Sequence, residues 1–219
     1  AEAELIRGQL RGTLVQYDAA TKQLKDRTAG PCSSHNGQQA FATGDLNGDG
    51  TDEFISVCTD NTLVAHGPSY KTWSLAGVSG GGIALGQMDN DAAIEIATTA
   101  GKVVDSVSKT VQWTRSEGFG GQVLAADIDG DGRDELIANE GWVNAYDVEK
   151  KLPKWSIQGG ATIALGDVTG DGVRELLVGD DQWGSVHAYD MSTQTEIGQI
   201  ANPEHGVTNI LVADVNGDG

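Results

Sequence analysis

Short apolar runs separated by turns rich in glycine and aspartate recur along the whole chain, as in ATIALG (161–166), RELLVG (174–179) and GSVHAYD (184–190). None of these runs has the 3.6-residue periodicity of an amphipathic helix, and their length is typical of β-strands. A further run carries a tryptophan at the same place in three units: Trp73, Trp113 and Trp155. The pattern predicts an all-β protein built from units of four strands, A to D, with these tryptophans in its core.

One unit repeats along the sequence. An aspartate-rich loop lies between strands A and B, and its first positions are Asp45, Gln87, Asp127, Asp167 and Asp214. The steps between them are 42, 40, 40 and 47 residues, which is the period of a four-stranded propeller blade. We therefore predict a β-propeller, and we name the loops in chain order: first (45–53), second (87–95), third (127–135), fourth (167–175) and fifth (214–219).

The turn after strand C has its own signature. Tyrosine precedes aspartate at the end of this strand in three units: Tyr17 and Asp18, Tyr146 and Asp147, Tyr189 and Asp190. Aspartate at such a position commonly accepts hydrogen bonds from the backbone N–H groups that follow it. We expect this aspartate to begin the turn between strands C and D.

The two ends of the chain fit together as one blade. Residues 3–27 align with residues 174–199 as strands B, C and D, and VADVNGDG (212–219) would supply strand A and part of a loop. We expect a single domain over residues 1–219, with five blades closed by strands from both termini, so that the open sheet edges are removed. The blades would span 208–219 with 1–27, 39–75, 82–114, 121–157 and 161–200. The alternative is a segment of a larger propeller with seven or eight blades.

Acidic side chains outnumber basic ones, 32 against 14, which gives a formal net charge of −18. Such a chain would be repelled by nucleic acid and by anionic lipid, so neither is an expected partner. No apolar run is long enough to cross a bilayer, and no membrane span is expected. Much of the acidity lies in the repeated loops, where bound divalent cations would offset it.

The loops follow the pattern D-x-[DN]-x-D-G-x-x-E. Alternating residues of a tight loop direct several oxygens at one centre, and the glycine allows the sharp turn. Hard oxygen ligands without His or Cys favour calcium, whereas magnesium needs fewer protein ligands in stricter octahedral geometry. An EF-hand would require flanking helices and a glutamate at loop position 12, but that position holds Ser56, Ala138 or Val178.

These repeats resemble the FG-GAP/VCBS family, whose best-known members are the integrin α-chain propellers. The resemblance implies that calcium is held by loop positions 1, 3, 5 and 9, with a backbone carbonyl from position 7. The implied side-chain ligands of the first, third and fourth loops are Asp45, Asn47, Asp49 and Glu53; Asp127, Asp129, Asp131 and Glu135; and Asp167, Asp171 and Glu175. The implied carbonyls belong to Thr51, Arg133 and Val173. Integrin loops usually end in aspartate, whereas these end in glutamate.

The remaining loops depart from the pattern. Thr169 at position 3 is expected to weaken the fourth site. The second loop has Gln87 and Ala92 at positions 1 and 6 and keeps three acidic residues: Asp89, Asp91 and Glu95. The fifth loop offers Asp214, Asn216 and Asp218, and its ninth ligand would have to come from Glu2 or Glu4. Three to five calcium ions are therefore expected, with the second loop the least complete.

The metal loops should share one face of the propeller with the C–D turns, and the D–A and B–C loops should share the other. That second face would present Phe119 and four candidate ligand-binding residues: His35, Trp142, Trp183 and His205. Trp142 and Trp183 fall in B–C loops, where exposed aromatic rings could stack on a sugar. The alternative is that both tryptophans pack against neighbouring loops.

The two cysteines, Cys32 and Cys58, map to the same face of one blade. A disulfide between them is geometrically reasonable and would fit an oxidising extracellular setting. Two buried free thiols are the alternative.

The function that these features favour is a binding or adhesion module, with a protein or carbohydrate partner and with calcium acting mainly on stability. An enzyme is not expected, because the four histidines are scattered and no known catalytic motif occurs. A glycan-binding lectin and the catalytic propeller of a polysaccharide lyase are the alternatives. The expected location is secreted, periplasmic or on the cell surface.

Overall fold

A computed structural model of the chain describes residues 4–9, 13–18, 20–29, 32, 37–67, 72–181, 184–201 and 206–213. The strands in these residues form five sheets, and each sheet is an antiparallel meander of strands in sequence order. The first sheet has three strands: β1 (Glu4–Gln9), β2 (Thr13–Asp18) and β3 (Leu24–Ala29). The other four sheets have four strands each.

The strands of the second sheet are β4 (Gln38–Gly44), β5 (Glu53–Cys58), β6 (Thr62–His66) and β7 (Trp73–Ala76). Those of the third are β8 (Ile83–Gly86), β9 (Glu95–Thr98), β10 (Lys102–Asp105) and β11 (Thr110–Thr114). Those of the fourth are β12 (Gln122–Ala126), β13 (Glu135–Asn139), β14 (Trp142–Asp147) and β15 (Leu152–Gln158). Those of the fifth are β16 (Thr162–Gly166), β17 (Glu175–Gly179), β18 (Ser185–Asp190) and β19 (Thr195–Ala201). The predicted all-β architecture of four-stranded blades is confirmed.

The first strands of neighbouring blades lie side by side around the centre. Strand β8 contacts β4 and β12, and β12 contacts β16. These strands line an open channel of about 480 Å³, together with Ile210, Leu211 and Val212. Strand A is therefore the innermost strand of each of these blades.

The closing strand that was expected from the C-terminal end is not formed in the described part of the chain. Residues 206–213 contain no strand. Val212 packs instead against β16, where a Cβ added to Gly166 would lie 2.4 Å from Val212 Cγ1. The rest of the predicted closing segment, residues 214–219 and 1–3, lies outside the described residues. The structure thus shows the blades but not the closed ring.

Buried apolar side chains form clusters between successive four-stranded sheets. Ile55 and Trp73 of the second sheet pack with Ile96 of the third. In the same way, one cluster joins the third and fourth sheets, and another joins the fourth and fifth. Trp73 and Trp155 are buried, and Trp113 packs partly buried against the cluster of its own blade. The predicted core role of the three repeated tryptophans is confirmed.

The expectation that Phe119 is presented on the second face is wrong. Its side chain is fully buried, and the centroid of its ring lies 5.0 Å from that of Trp113 and 5.7 Å from that of Tyr146. Gly118 and Gly120 on either side have φ values of +77° and +74°. These left-handed conformations, which glycine adopts readily, turn the chain so that the ring enters the core between two sheets.

The turn after strand C is built as predicted where its side chains are described. The carboxylates of Asp105, Asp147 and Asp190 accept hydrogen bonds from the backbone N–H groups of Val107, Lys150 and Ser192 at 2.9, 2.8 and 2.8 Å. The side chain of Asp18 lies outside the described part. The turns hold strand D beside strand C at the end of the blade where the metal loops lie.

The last strand of four sheets carries a one-residue bulge. Between β14 and β15, Ala145 is paired with Trp155 and Tyr146 with Pro153, so Lys154 has no opposite residue. The residues skipped in this way are Lys25, Gln112, Lys154 and Ile197. A bulge changes the direction of its side chain, and this one recurs directly before the repeated tryptophan position.

Cys32 and Cys58 form a disulfide with a Cα–Cα distance of 5.5 Å. Cys58 is the last residue of β5, and Cys32 belongs to the segment that precedes β4. Both are buried and pack with Val64. The disulfide thus ties the chain entering the second sheet to the second strand of that sheet.

Candidate metal loops

Each of the four described A–B loops ends on a buried glutamate that begins strand B. Glu53, Glu95, Glu135 and Glu175 are 0, 0, 3 and 4% exposed. In every loop the Oε2 atom accepts a hydrogen bond from the backbone N–H of loop position 2, at 2.9, 2.6, 3.2 and 2.8 Å in chain order. One carboxylate oxygen of each glutamate is thereby anchored in the same way, and the other oxygen, Oε1, remains to contact a group inside the loop.

The first position of the loop organises the backbone. In the first loop, Asp45 accepts hydrogen bonds from the N–H groups of Gly48 at 2.7 Å and Gly50 at 2.8 Å. The same pair of bonds recurs from Gly130 and Gly132 to Asp127 and from Gly170 and Gly172 to Asp167. All six glycines have positive φ. The N–H group of Gly50 lowers the pKa of Asp45, so this carboxylate stays ionised at neutral pH.

The second loop lacks this backbone turn. Asn90 and Ala92 replace the two glycines, and neither has positive φ. Three acidic oxygens nevertheless come together, from Asp89, Asp91 and Glu95, all within 4.8 Å of one another. The second loop was expected to be the least complete metal site, yet its three acidic side chains lie close together.

The glutamate of the second loop has an oxygen without a partner. Glu95 Oε1 is buried and makes no hydrogen bond. Burial, reinforced by Asp89, Asp91 and Asp105, raises the pKa of Glu95 to about 8. A carboxylate in this position is costly unless a cation or a proton neutralises it.

Gln112 and Asp105 complete the surroundings of the second loop. Gln112, the bulge residue of β11, donates from Nε2 to Asp89 Oδ2 at 2.8 Å and to Asp105 Oδ2 at 3.2 Å. Asp105 is buried and comes from the C–D turn of the same blade. The sequence patterns did not single out either residue as part of a loop. The register of the bulge, which only strand pairing reveals, brings Gln112 there.

The third loop contains a lysine. Lys154, the bulge residue of β15, donates from Nζ to Glu135 Oε1 at 2.6 Å and to Asp129 Oδ2. Burial alone would lower the pKa of Lys154, but the hydrogen bonds to Asp129 and Glu135 outweigh it and raise the pKa. Asp127, Asp129 and Glu135 are the acidic residues gathered here.

Asp131, an expected ligand of the third loop, is paired with Arg133. The guanidinium donates from Nε to Asp131 Oδ1 at 3.3 Å and also contacts Oδ2. This contact lowers the pKa of Asp131. The third loop, which has every residue of the pattern, therefore faces two cationic side chains of the protein itself.

The fourth loop gathers Asp167, Asp171 and Glu175 within 4.8 Å. Thr169 at position 3 makes only a long contact, 3.4 Å from its Oγ1 to Glu175 Oε1. The bulge residue of this blade is Ile197, which has no hydrogen-bonding side chain. Within the described residues, no ion pair involves an acidic residue of this loop.

The first loop is arranged differently. Asn47 donates from Nδ2 to Glu53 Oε1 at 3.2 Å, and Asp49 accepts from the N–H of Thr51 at 2.8 Å. In the part of the chain that the structure describes, three gathered acidic oxygens are found in the other three loops and not in this one. The amide of Asn47 takes up the glutamate oxygen instead. Burial raises the pKa of Glu53.

The residues at position 7 take part through their backbone. The N–H groups of Thr51, Arg133 and Val173 donate to the position-5 aspartate of their loops at 2.8, 3.0 and 2.8 Å. Several expected site residues lie outside the described part of the chain: His35, Trp183, His205, Asp214, Asn216 and Asp218. Their roles stay predictions.

The donors of these loops fit a hard divalent cation. The gathered groups of the second, third and fourth loops are carboxylates, and no His or Cys belongs to a gathered group in the described residues. The buried oxygen of Glu95 has no partner, and an ammonium lies between the carboxylates of the third loop. Oxygen-only sites of this kind suit calcium. A bound ion would neutralise the carboxylates and link strands A and B.

The opposite face carries one exposed aromatic residue among the predicted candidates that are described. Trp142, the first residue of β14, is 54% exposed, so the alternative that it is packed away does not apply. Its neighbour in the chain, Gly141, lines an open cavity of about 430 Å³ together with Arg115, Glu117, Gly120, Gly121, Asn139 and Glu140. The predicted candidate ligand residue is therefore accessible.

Polar contacts hold the wall of this cavity in place. Glu140 forms an ion pair with Arg115 and accepts hydrogen bonds from Tyr146 Oη at 3.1 Å and from Asn144 Nδ2 at 3.1 Å. Burial and the charge of Glu140 raise the pKa of Tyr146 to about 12. Glu140 is thus held by three side chains, which fixes one wall of the cavity.

No model of a known protein family and no curated protein matches the chain. Solved structures do match. One is BBS1N, whose crystal structure in complex with ARL6DN was soaked with lead. It has a TM-score of 0.66 at 13% sequence identity, and the match covers 94% of this chain and 66% of BBS1N. A chain from the mitotic checkpoint complex has a TM-score of 0.62 at 12% identity, covering 91% of this chain and 62% of that one.

BamB from Moraxella catarrhalis is also similar, with a TM-score of 0.56 at 16% identity, covering 92% of this chain and 62% of BamB. The chain thus spans 62 to 66% of the length of these three structures. A helix long and apolar enough to cross a membrane is not found in the described residues. At such low identities the likeness establishes the fold alone, and this chain is a β-propeller.

Proposed function

We propose that this protein is a calcium-binding β-propeller of the FG-GAP/VCBS type, in which calcium stabilises the blades and the opposite face binds a partner. The observation that carries the calcium assignment is the second loop, where the buried Oε1 of Glu95 has no partner within a group of three carboxylates. Native proteins rarely leave a buried polar oxygen unsatisfied. A cation at this point would satisfy it.

The stabilising role follows from where the loop residues lie. Glu95 begins β9 and is paired with Gly86, the last residue of β8, so an ion held by this loop would fix the first two strands of the blade together. An ion that binds the native state and not the unfolded chain raises stability by mass action. The gathered carboxylates are brought together by folding, since each group spans a loop segment of seven or nine residues: 89–95, 127–135 and 167–175.

Replacing Glu95 by glutamine is expected to remove one calcium site. Glutamine keeps the size of the side chain and an oxygen, but it removes the charge that a calcium ion requires. Because the pKa of Glu95 is raised to about 8, the metal-free protein already favours a neutral side chain at position 95 at pH 7, and the Glu95→Gln variant should fold. Isothermal titration with calcium should show one binding equivalent fewer than in the wild type.

The control for this measurement is Glu149→Gln, which removes the same charge from an exposed turn residue on the metal-loop side. Its calcium stoichiometry should equal that of the wild type. An unchanged stoichiometry in Glu95→Gln would contradict the assignment of the second loop.

The partner of the opposite face is proposed to be a protein or a carbohydrate. An exposed tryptophan suits both, since the ring offers a large apolar contact surface and the N–H a hydrogen bond. One of the similar structures, BBS1N, is itself described in complex with another protein.

Trp142→Ala is expected to weaken partner binding strongly while leaving the fold intact, because the side chain is largely exposed. Truncation of a central interface tryptophan typically costs 2 kcal/mol or more of binding free energy, roughly thirtyfold in affinity. Binding of wild type and variant to a glycan array, and to extracellular proteins displayed on a surface, would measure it. Equal binding by the two proteins would move the partner site away from Trp142.

A further inference from the structure

The bulge of strand D delivers one side chain to the metal loop of its own blade. Gln112 reaches Asp89 in the second loop at 2.8 Å, and Lys154 reaches Glu135 in the third at 2.6 Å. In the fifth sheet, which carries the fourth loop, the same position holds Ile197, whose side chain can neither donate a hydrogen bond nor carry a charge. A single structural position therefore differs in charge and hydrogen bonding from one loop to the next.

Lys154 contacts the glutamate oxygen whose counterpart in the second loop has no partner. The glutamate of each loop uses Oε2 for the N–H of position 2, and Oε1 turns to the loop. In the second loop Oε1 of Glu95 has no partner, whereas in the third loop Oε1 of Glu135 accepts from the ammonium of Lys154. Only 24% of the Lys154 side chain is exposed, so the ammonium lies inside the group of carboxylates.

We propose that Lys154 is a tethered cation that competes with calcium for the third loop, so that this loop, although its sequence pattern is complete, binds calcium more weakly than the fourth. This inference rests on the proposed calcium-binding function. An ion entering the third loop must displace the ammonium from Asp129 and Glu135. A charged hydrogen bond of this kind is worth roughly 1.5 kcal/mol or more, about tenfold in affinity.

The fourth loop provides the comparison within the same molecule. Its acidic oxygens, like those of the third loop, all lie within 4.8 Å of one another, and both loops have two glycines of positive φ. Within the described residues the third loop has ion pairs to Lys154 and Arg133, and the fourth has none. The two loops thus differ at position 3, where the third has Asp129 and the fourth has Thr169, and in the cations supplied by the protein, which the proposal takes to outweigh the extra carboxylate.

The test is a calcium titration of the chelator-treated full chain, followed by the backbone amide resonances of Gly132 and Gly172, which report the third and fourth loops separately. In the wild type, Gly172 should respond at lower calcium than Gly132. In Lys154→Gln, which copies the side chain found at the second loop, the midpoint for Gly132 should fall about tenfold, with that for Gly172 unchanged. Lys154→Met, which lacks any donor, should behave in the same way.

The reciprocal variant, Ile197→Lys, places an ammonium at the equivalent bulge of the fourth loop and should raise the midpoint for Gly172 about tenfold. The proposal is overturned if both Lys154 variants, folded as judged by spectral dispersion, keep the wild-type midpoint for Gly132. If neither glycine responds to calcium in any of these proteins, the proposed calcium function fails and this inference fails with it. If Gly172 responds to calcium but the midpoint for Gly132 is the same in the Lys154 variants as in the wild type, the proposed calcium function stands and only the role of Lys154 is removed.

Discussion

Restoring calcium to chelator-treated protein is expected to raise its melting temperature by about 10 to 20 °C. A site saturated at a hundred times its dissociation constant adds about 2.7 kcal/mol to the free energy of unfolding. For a chain of this size each kcal/mol corresponds to roughly 2–4 °C. The second and fourth loops, where no cationic side chain is seen to enter the gathered carboxylates among the described residues, together account for the expected range.

Differential scanning calorimetry with a chelator, with calcium and with magnesium would measure this effect. The Glu95→Gln, Glu175→Gln double variant should lose most of the increase with calcium, and Glu149→Gln should keep it. Magnesium should produce a smaller increase, because it demands stricter octahedral geometry and gives up its waters reluctantly. Identical melting with chelator and with calcium would contradict a structural role for the ion.

Removing the disulfide is expected to lower the free energy of unfolding by about 3.5 kcal/mol. The two cysteines are 26 residues apart, and closing a loop of that length restricts the unfolded chain by roughly this amount. The Cys32→Ser, Cys58→Ser double variant should therefore melt about 7 to 14 °C below the wild type. Urea denaturation of both proteins in saturating calcium would give the free-energy difference.

The same comparison can be made without mutation, by reducing the wild-type protein. Both cysteines are buried, so a mild reductant should act slowly on the native state and quickly once the protein unfolds. The double variant should show no response to reductant. A difference of less than 1 kcal/mol between wild type and variant would mean that the disulfide adds nothing beyond the packing of its two side chains.

The repeating blade was the feature of the fold that the sequence predicted best. The blade strands and the buried tryptophans follow from apolar runs and turns that recur at one period, since each unit must bury the same face against its neighbour. The aspartate of the C–D turn follows from local chemistry, because its carboxylate bonds the backbone within three residues. Features governed by neighbouring residues were therefore predictable.

Features that depend on strand pairing could not be predicted from the sequence. Lys154 is separated from Glu135 by 19 residues, and nothing in its neighbourhood distinguishes it from other surface lysines. It enters the third loop because the register between β14 and β15 shifts by one residue. In the same way, the acidic residues of the second loop are gathered although the loop lacks the glycines of the pattern. How closely a loop matches the pattern therefore did not predict whether its acidic oxygens come together.

Phe119 shows a further limit of pattern reasoning. Its place in a connection between blades predicted exposure, because such connections usually run over the surface. The two glycines that flank it permit a turn that directs the ring inward. The glycines were visible in the sequence, but the direction in which they turn the chain depends on the sheets on either side.

The clusters of buried side chains between sheets have a consequence for how such a chain can change during evolution. Every strand pairs with the strand next to it in sequence, and each cluster joins only two consecutive sheets. Duplication of one gene segment encoding a unit would therefore add a sheet together with a ready-made interface, as in other repeat proteins. The chain could gain or lose a blade without any existing strand acquiring a new hydrogen-bonding partner.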